Sequence, residues 1–513
     1  MRAKRDKDVE RERLEAENAG LRRQVEELSR RNEELSLQNE GLSRRVAELE
    51  RLIKQWAGAA PTERLDQAYS LKAEEQRQAA RAGAKRRRKQ RSLRRGRVTT
   101  QDKLDRADRI EVVLPEGFQL GECRLAYRRP VWRIEDGRAV LVAYEIYRGP
   151  QRQRGTVPGL LPRCEFGLEI LITLAHQTLV IGVSIDKAVA QLRFFWELKL
   201  SKSQADSLLS RLAREWHVEF DRLCQLLSVS AVVHTDETSW SIGSVWTFLS
   251  EQARLLIFGC RRDAATLEVL LPKATFAGVI VSDDAAVYRG FTQAQKCWAH
   301  LLRKAIKLTL LKPDDTRYRT FCDGLLAVYR SGCAAATDKR LGDAGRQRRV
   351  RELEQRLRNL CWSCRPDHRA ASSRAPSNAP SSNAVEKDYL NLAAELVRLL
   401  GANELFTFVT VPGVVGTNNI SEQALRDPAQ DRRTDQTSRS LGGARRRTIL
   451  ASVLESLRTR LPQLDLRSVL NEVTEWTKSG LSCFGRILQT LGLAPGEHSP
   501  LDRLVPLPTP NTS

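Results

Sequence analysis

Two hydrophobic periods organise this chain. Leu14, Leu21, Leu28, Leu35, Leu42 and Leu49 recur every seven residues, as the d positions of six unbroken heptads do. Asn18, Val25, Asn32, Asn39, Val46 and Ile53 fill the matching a positions. Val and Ile at a with Leu at d favour two parallel strands, and asparagine at a fixes their register. Across such a dimer Glu17 can meet Arg22, and Arg45 can meet Glu50. Residues 8–56 therefore predict a leucine-zipper coiled coil and a homodimer. A lone amphipathic helix on a globular core is the competing reading, which six heptads disfavour.

The second period begins after a basic linker. Between residues 110 and 149 short alternating strands are expected, with residues 138–147 the clearest; residues 106–165 form a small β-rich region. From 166 to 228 the pattern turns helical. Ser201 or Ser203 is placed to cap a helix running through Leu208, Leu209, Leu212 and Trp216. With the helix before it this makes either a helix-turn-helix that enters a DNA groove or an ordinary helical pair. Strands are then expected at 232–242, 244–250, 254–259 and 279–282, with a helix at 264–271 after the third. A further helix and strand follow up to residue 297.

The first and fourth of these strands are β-branched runs that end in carboxylates: Val232-Val233-His234-Thr235-Asp236-Glu237 and Val279-Ile280-Val281-Ser282-Asp283-Asp284. Three consecutive strands, a crossover helix and another strand is the order of a ribonuclease H-like fold, in which the first and fourth strands lie side by side. Glu237 and Asp284 rival their neighbours, but along an extended strand they point to the opposite face. A third acid, Glu422, follows Thr417-Asn418-Asn419 on a short helix expected to end near Pro428. Asn419 can be the cap of that helix and Glu422 its capping-box partner, a local role that does not exclude metal binding. Gathered carboxylates hold hard divalent cations, and such cations drive phosphoryl transfer.

Charge points to the polymer. The 513 residues carry a formal net charge of +22, which favours a polyanionic partner. Ten basic residues and no acid fall between 81 and 97. Arg86, Arg87, Arg88 and Lys89 form the centre of a linker or arm (57–105) that is either solvated or bound to phosphate. Arg303, Lys304 and Lys307 could hold phosphates near the acids, as could Arg426 and the run Arg445-Arg446-Arg447. The ten cysteines show no disulfide-like framework, and no apolar stretch follows Met1, so a soluble cytoplasmic protein without a signal peptide or membrane partner is expected. The most apolar window, 166–185, contains Glu169, His176 and Gln177 and reads as core helix. Cys361-Trp362-Ser363-Cys364 has the spacing of half a zinc site or a redox pair, but no second pair accompanies it. It leads into a Ser/Ala/Pro-rich stretch at 370–384. Trp298 reads as core, and His300 as either a buried histidine or a group serving the acids or DNA.

Four blocks in order carry a resemblance: His234-Thr235-Asp236-Glu237-Thr238, Ser282-Asp283 with Tyr288, Cys297-Trp298-Ala299-His300-Leu301-Leu302-Arg303-Lys304, and Asn418-Asn419-Ile420-Ser421-Glu422-Gln423-Ala424-Leu425-Arg426. Together they resemble transposases of the insertion sequence 66 family over residues 230–460. The resemblance implies a DDE transposase with Asp236, Asp283 and Glu422 as catalytic residues and ligands of two magnesium (or manganese) ions. It implies element ends and target DNA as partners and accessory proteins of the same element; His300 and Asn419 are candidates to support the acids, and a nucleoid-associated location is expected. It also implies a helical insertion, about 305–405, within a core at 229–460; residues 461–513 then form a helical tail. The family usually has arginine where this chain has Gln423, and only Cys123 and Cys164 stand where many members carry a zinc motif. An inactive, dimeric DNA-binding copy is the alternative function. A nuclease without strand transfer shares the same acids.

Overall fold

The computed structural model describes residues 98–363, 381–434, 436–493 and 499–504, together with parts of 20–48. The chain divides into two compact units, Met1–Arg97 and Val98–Ser513. In the first, residues 24–38 are helical, and Val25, Leu28 and Leu35 are more than half exposed in the single chain. The basic run at 81–97 and Cys364 lie outside the described residues.

The second unit is mixed α/β. Strands β1 (Arg109–Val113), β2 (Arg124–Glu135) and β3 (Arg138–Arg148) form a three-stranded sheet ordered β1-β3-β2. β2 and β3 are joined through Asp136-Gly137, both at positive φ, the turn that matches strand twist in a two-residue hairpin. Four helices follow: α1 (Leu168–Leu179), α2 (Ile185–Trp196), α3 (Lys202–Glu215) and α4 (His217–Ser228). Ser201 caps α3 through a capping box with Gln204, whereas Trp216 closes the helix as its C-cap. Ala205, Leu208, Leu209, Leu212 and Ala213 of α3 face the core. No helix among the described residues is long and apolar enough to cross a membrane.

The main sheet has five strands: β4 (Val232–Ser239), β5 (Ser244–Leu249), β6 (Arg254–Cys260), β7 (Val279–Ser282) and β8 (Ala294–Lys296). Their order is β6-β5-β4-β7-β8. The first three are antiparallel neighbours, while β4–β7 and β7–β8 are parallel. A crossover helix, α5 (Ala264–Leu270), joins β6 to β7. Two expectations are corrected here. The first strand ends at Ser239, three residues early, because Trp240–Gly243 make the turn into β5. The second helix of the motif is only a 3-10 turn, Ala286–Tyr288.

Beyond β8 come α6 (Trp298–Leu311), α7 (Thr316–Thr337), α8 (Asp343–Ser363) and α9 (Ser381–Gly401). Together with Val279 and Val281 of β7 they build a second apolar core around Phe321, Leu325, Leu357, Tyr389 and Leu396. The two ends of this insertion are stitched together. Lys296 N–H donates to Glu404 C=O at 2.7 Å, and Trp298 N–H to Gly416 C=O at 2.9 Å. The buried Gln295 amide donates to Leu405 C=O at 3.0 Å and accepts the Phe408 N–H at 3.0 Å. Trp298 is fully buried, with its indole N–H on Leu405 C=O at 2.7 Å. The chain then forms α10 (Asn419–Ala424), α11 (Arg426–Arg433), α12 (Leu441–Arg460), α13 (Leu466–Ser479) and α14 (Cys483–Thr490).

Strand β6 would be an open edge, with a row of unpaired N–H groups. α12 closes it with hydroxyls four residues apart. Thr448, Ser452 and Ser456, all fully buried, accept the N–H groups of Phe258, Leu256 and Arg254, each at 2.9 Å. The helix approaches so closely at Gly259 (φ 78°) that a Cβ there would lie 2.8 Å from Ala444 Cβ. Because a buried N–H without an acceptor costs about 1–3 kcal/mol, Ser452→Ala is expected to lower stability by about that amount. Urea unfolding followed by tryptophan fluorescence would measure this, and a loss below about 0.5 kcal/mol would contradict the edge-closing role.

Candidate active site

The parallel pairing of β4 with β7 aligns Val232 with Val279, Val233 with Ile280 and His234 with Val281. Two residues further on stand Asp236, still within β4, and Asp283, one residue past the end of β7. Equal spacing sets the two acids at the same level of neighbouring strands, which run about 4.8 Å apart, but past the end of β7 the alternation lapses and Asp284, expected on the opposite face, lines the same cleft as Asp283. Along β4, Val233, Thr235 and Glu237 are buried on one face while His234 and Asp236 look into the half-buried one. Asp236 Oδ1 accepts the Glu237 N–H at 2.9 Å, and Asp283 Oδ1 accepts the Ala285 N–H at 2.9 Å. Glu237 points away, as its parity requires. It accepts Arg262 Nε at 2.8 Å and the Tyr288 hydroxyl.

Glu422 arrives on α10. The cap is not Asn419, which is exposed at the first helical position, but Asn418. Asn418 makes no side-chain cap to its own helix. Its Nδ2 donates to Thr235 C=O at 2.8 Å, which leaves Oδ1 to face His234 Nδ1 at 3.1 Å and requires that nitrogen to carry the proton. Burial lowers the His234 pKa, which keeps the ring neutral. The Asn418 N–H completes the join by donating to Cys297 Sγ at 3.1 Å. One fully buried asparagine thus fastens α10 to the strand that carries Asp236. Glu422 is left free of its own backbone and salt-bridged to Arg303, with Nη2 at 2.7 Å from Oε2. α10 ends at Ala424, and Pro428 lies in the first turn of α11, where a missing N–H is tolerated.

Electrostatics ties the three acids together. Burial pushes the Asp236 carboxyl up to about 7, and the negative charges of Glu237, Asp283 and Glu422 push the same way, against the Glu237 N–H bond. Carboxylates that repel one another in this way are donors a hard divalent cation relieves, although among the described residues the ligand atoms gathered within 4.8 Å of one another are those of Cys297, His300 and Glu422 and not of these three acids. Beside Asp283 opens a cleft of about 530 Å³, lined in part by Asp284, Lys296, His300, Lys304 and Arg398. Lys296 is buried, with Nζ 3.2 Å from Ser282 Oγ, and burial lowers its pKa. His300 Nδ1 lies 3.6 Å from Glu422 Oε1.

The remaining basic candidates differ in what they touch. Lys304 holds Glu395 at 2.7 Å, Lys307 reaches Asp388 at 3.4 Å, and Arg398 pairs with Asp284. Arg426 is exposed. Arg445 bonds Asp502 at 2.5 Å, Arg446 bonds Asp206 at 2.7 Å, and Arg447 is buried against Asp431. Arg446 and Arg447 are thus held within the fold. Arg86, Arg87, Arg88 and Lys89 fall outside the described residues. Sequence reasoning missed Asn418 as the fastener and Lys296 and Arg398 as cations beside the acids; no local pattern marks any of the three.

Residues 164–446 match the family model described as transposase IS66 family. No curated protein gives a significant match to this chain.

Because the Asp236 pKa is raised on folding, the proton it holds contributes stability that is complete below about 4 and is lost as pH rises through about 7. Without added metal, Asp236→Asn is therefore expected to unfold at higher temperature than the wild type at pH 8, and to differ little at pH 4.5. Equal differences at both pH values, read by scanning calorimetry, would contradict the raised pKa.

Proposed function

This chain belongs to the transposase IS66 family, and from that premise we propose that it cleaves the ends of a mobile element and joins them to target DNA at Asp236, Asp283 and Glu422. Membership makes it a transposase, and hence a DNA-acting protein. The finer reading is supported above all by one observation: β4 and β7 pair in parallel so that Asp236 and Asp283 follow at equal spacing, and the Asn418 side chain fastens the helix bearing Glu422 to β4. Three acids that feel one another, delivered from two adjacent strands and one helix, suit a ribonuclease H-like DDE centre. The strand order β6-β5-β4-β7-β8 supports the same architecture.

The three carboxylates would hold two magnesium or manganese ions, which when bound lower the pKa of an attacking water or hydroxyl and stabilise the departing 3′ oxygen. The protein's own part is placement and charge. The strand pairing holds Asp236 and Asp283, and Asn418 anchors the helix that bears Glu422. Arg303 neutralises Glu422 in this state and can pass to a DNA phosphate once the acid is otherwise engaged. Lys296 and Arg398 offset the acids on the cleft side. No side chain needs to act as a nucleophile: water attacks first, and the freed 3′ hydroxyl attacks target DNA next.

The apolar seam of Val25, Leu28 and Leu35 supports a parallel zipper between two copies. The arm at Arg86–Lys89 and the exposed Arg426 would add phosphate contacts, with accessory proteins of the same element as further partners at the nucleoid. The inactive DNA-binding copy rests on Gln423, whose exposed side chain stands next to Glu422 in the chain.

On labelled duplexes cut from the element's own ends, the wild type is expected to nick at the 3′ end with magnesium, and Glu422→Gln to bind equally and not nick. Equal binding without nicking by either protein, accessory proteins supplied, would favour the inactive copy. Replacing both Leu28 and Leu35 by lysine is expected to turn a dimer into a monomer in sedimentation equilibrium. A dimer that survives both changes would contradict the zipper.

A further inference from the structure

Next to the three acids lies a second group of ligand atoms with different chemistry. Cys297, His300 and Glu422 each offer one atom, and these atoms all lie within 4.8 Å of one another. Two observations separate this trio from chance neighbours. His300 Nδ1 is shielded from solvent and has no hydrogen-bond partner, although it faces Glu422 Oε1 at 3.6 Å. Cys297 is buried at the head of α6, and its sulfur already accepts a backbone N–H, from Asn418 at 3.1 Å. Burial raises the Cys297 thiol pKa against the lowering effect of the Asn418, His300 and Ala299 N–H groups, so the sulfur keeps its proton until a metal displaces it. Sulfur, imidazole and one carboxylate oxygen are the donors of a borderline-soft ion, not of magnesium.

We propose that Cys297 Sγ, His300 Nδ1 and Glu422 Oε1 bind one Zn²⁺, with a water in the fourth position. Zinc bonds of about 2.0–2.3 Å place tetrahedral ligand atoms about 3.3–3.8 Å apart. The widest pair here therefore closes by about 1 Å from the 4.8 Å limit, a movement that rotation of the His300 and Glu422 side chains supplies. Binding releases the thiol proton to solvent, displaces Arg303 Nη2 from Glu422 Oε1, where it now donates at 3.0 Å, and leaves it on Oε2. Zinc so held takes Glu422 away from the magnesium site, so zinc and magnesium oppose each other. That consequence, unlike the binding itself, rests on the triad reading.

The test is a zinc titration of the full chain against a chromophoric chelator under reducing conditions, with no DNA present. One tight equivalent is expected in the wild type, weakened about tenfold or more in His300→Ala and in Cys297→Ser. Cobalt should give a sulfur-to-metal charge-transfer band that disappears in Cys297→Ser. His300 is partly exposed, so His300→Ala keeps the test valid if the buried cysteine variant fails to fold. Unchanged zinc affinity in His300→Ala, with circular dichroism like the wild type, would overturn the site and assign the metal to other thiols such as Cys361 and Cys364. Full affinity in Glu422→Gln would remove Glu422 from it. None of these readouts depends on transposition, so their failure is distinct from failure of the triad.

Discussion

The register between β4 and β7 is the constraint on which the rest depends. Because side chains alternate with period two, a slip of one residue would turn Asp236 into the core and bring Glu237 to the half-buried face. The register is held by what lies on the buried side. Val233 and its partner Ile280 are fully buried, and Glu237 is locked by Arg262 and Tyr288. The neighbour that seems to compete with Asp236 is therefore part of what aims it. The carboxylate proposed as a metal ligand and the one that anchors the strand stand side by side in the chain and on opposite faces of the sheet.

A second constraint is the return of the chain to the sheet. Glu422 lies 139 residues beyond Asp283, and a loop of that length has no preferred end-to-end geometry of its own. The insertion removes the difficulty by pinning its exit to its entrance at Gln295, Lys296, Cys297 and Trp298. The last of these ties is the backbone of Asn418, whose side chain reaches across to Thr235. At the opposite edge α12 closes β6 with three hydroxyls. Both edges of the mechanism's sheet are therefore held by polar groups that would be costly if left unmatched.

The hydrophobic pattern made the sheet legible. β-branched runs ending in Asp-Glu and Asp-Asp marked β4 and β7, and the bounds of β5, β6 and α5 fell within one residue of those expected. What was illegible is tertiary. Asn418 and Asn419 satisfy the same capping pattern, and only the distant Thr235 carbonyl decides which of them carries weight. Thr448, Ser452 and Ser456 look like the solvated face of a helix until the strand edge they cover is known. Lys296 and Arg398 carry no motif at all. Arg446 and Arg447 were read as possible phosphate ligands, yet each has an acid partner within the fold.

The most direct test of the acids as metal ligands is a change of metal preference in Asp283→Cys. Magnesium avoids sulfur whereas manganese accepts it more readily. With element-end DNA, the variant is expected to be inactive with magnesium and to regain nicking with manganese, while the wild type works with both. A variant equally active with both metals, or one that binds DNA and recovers with neither while the wild type cuts, would contradict a role for Asp283 as a metal ligand.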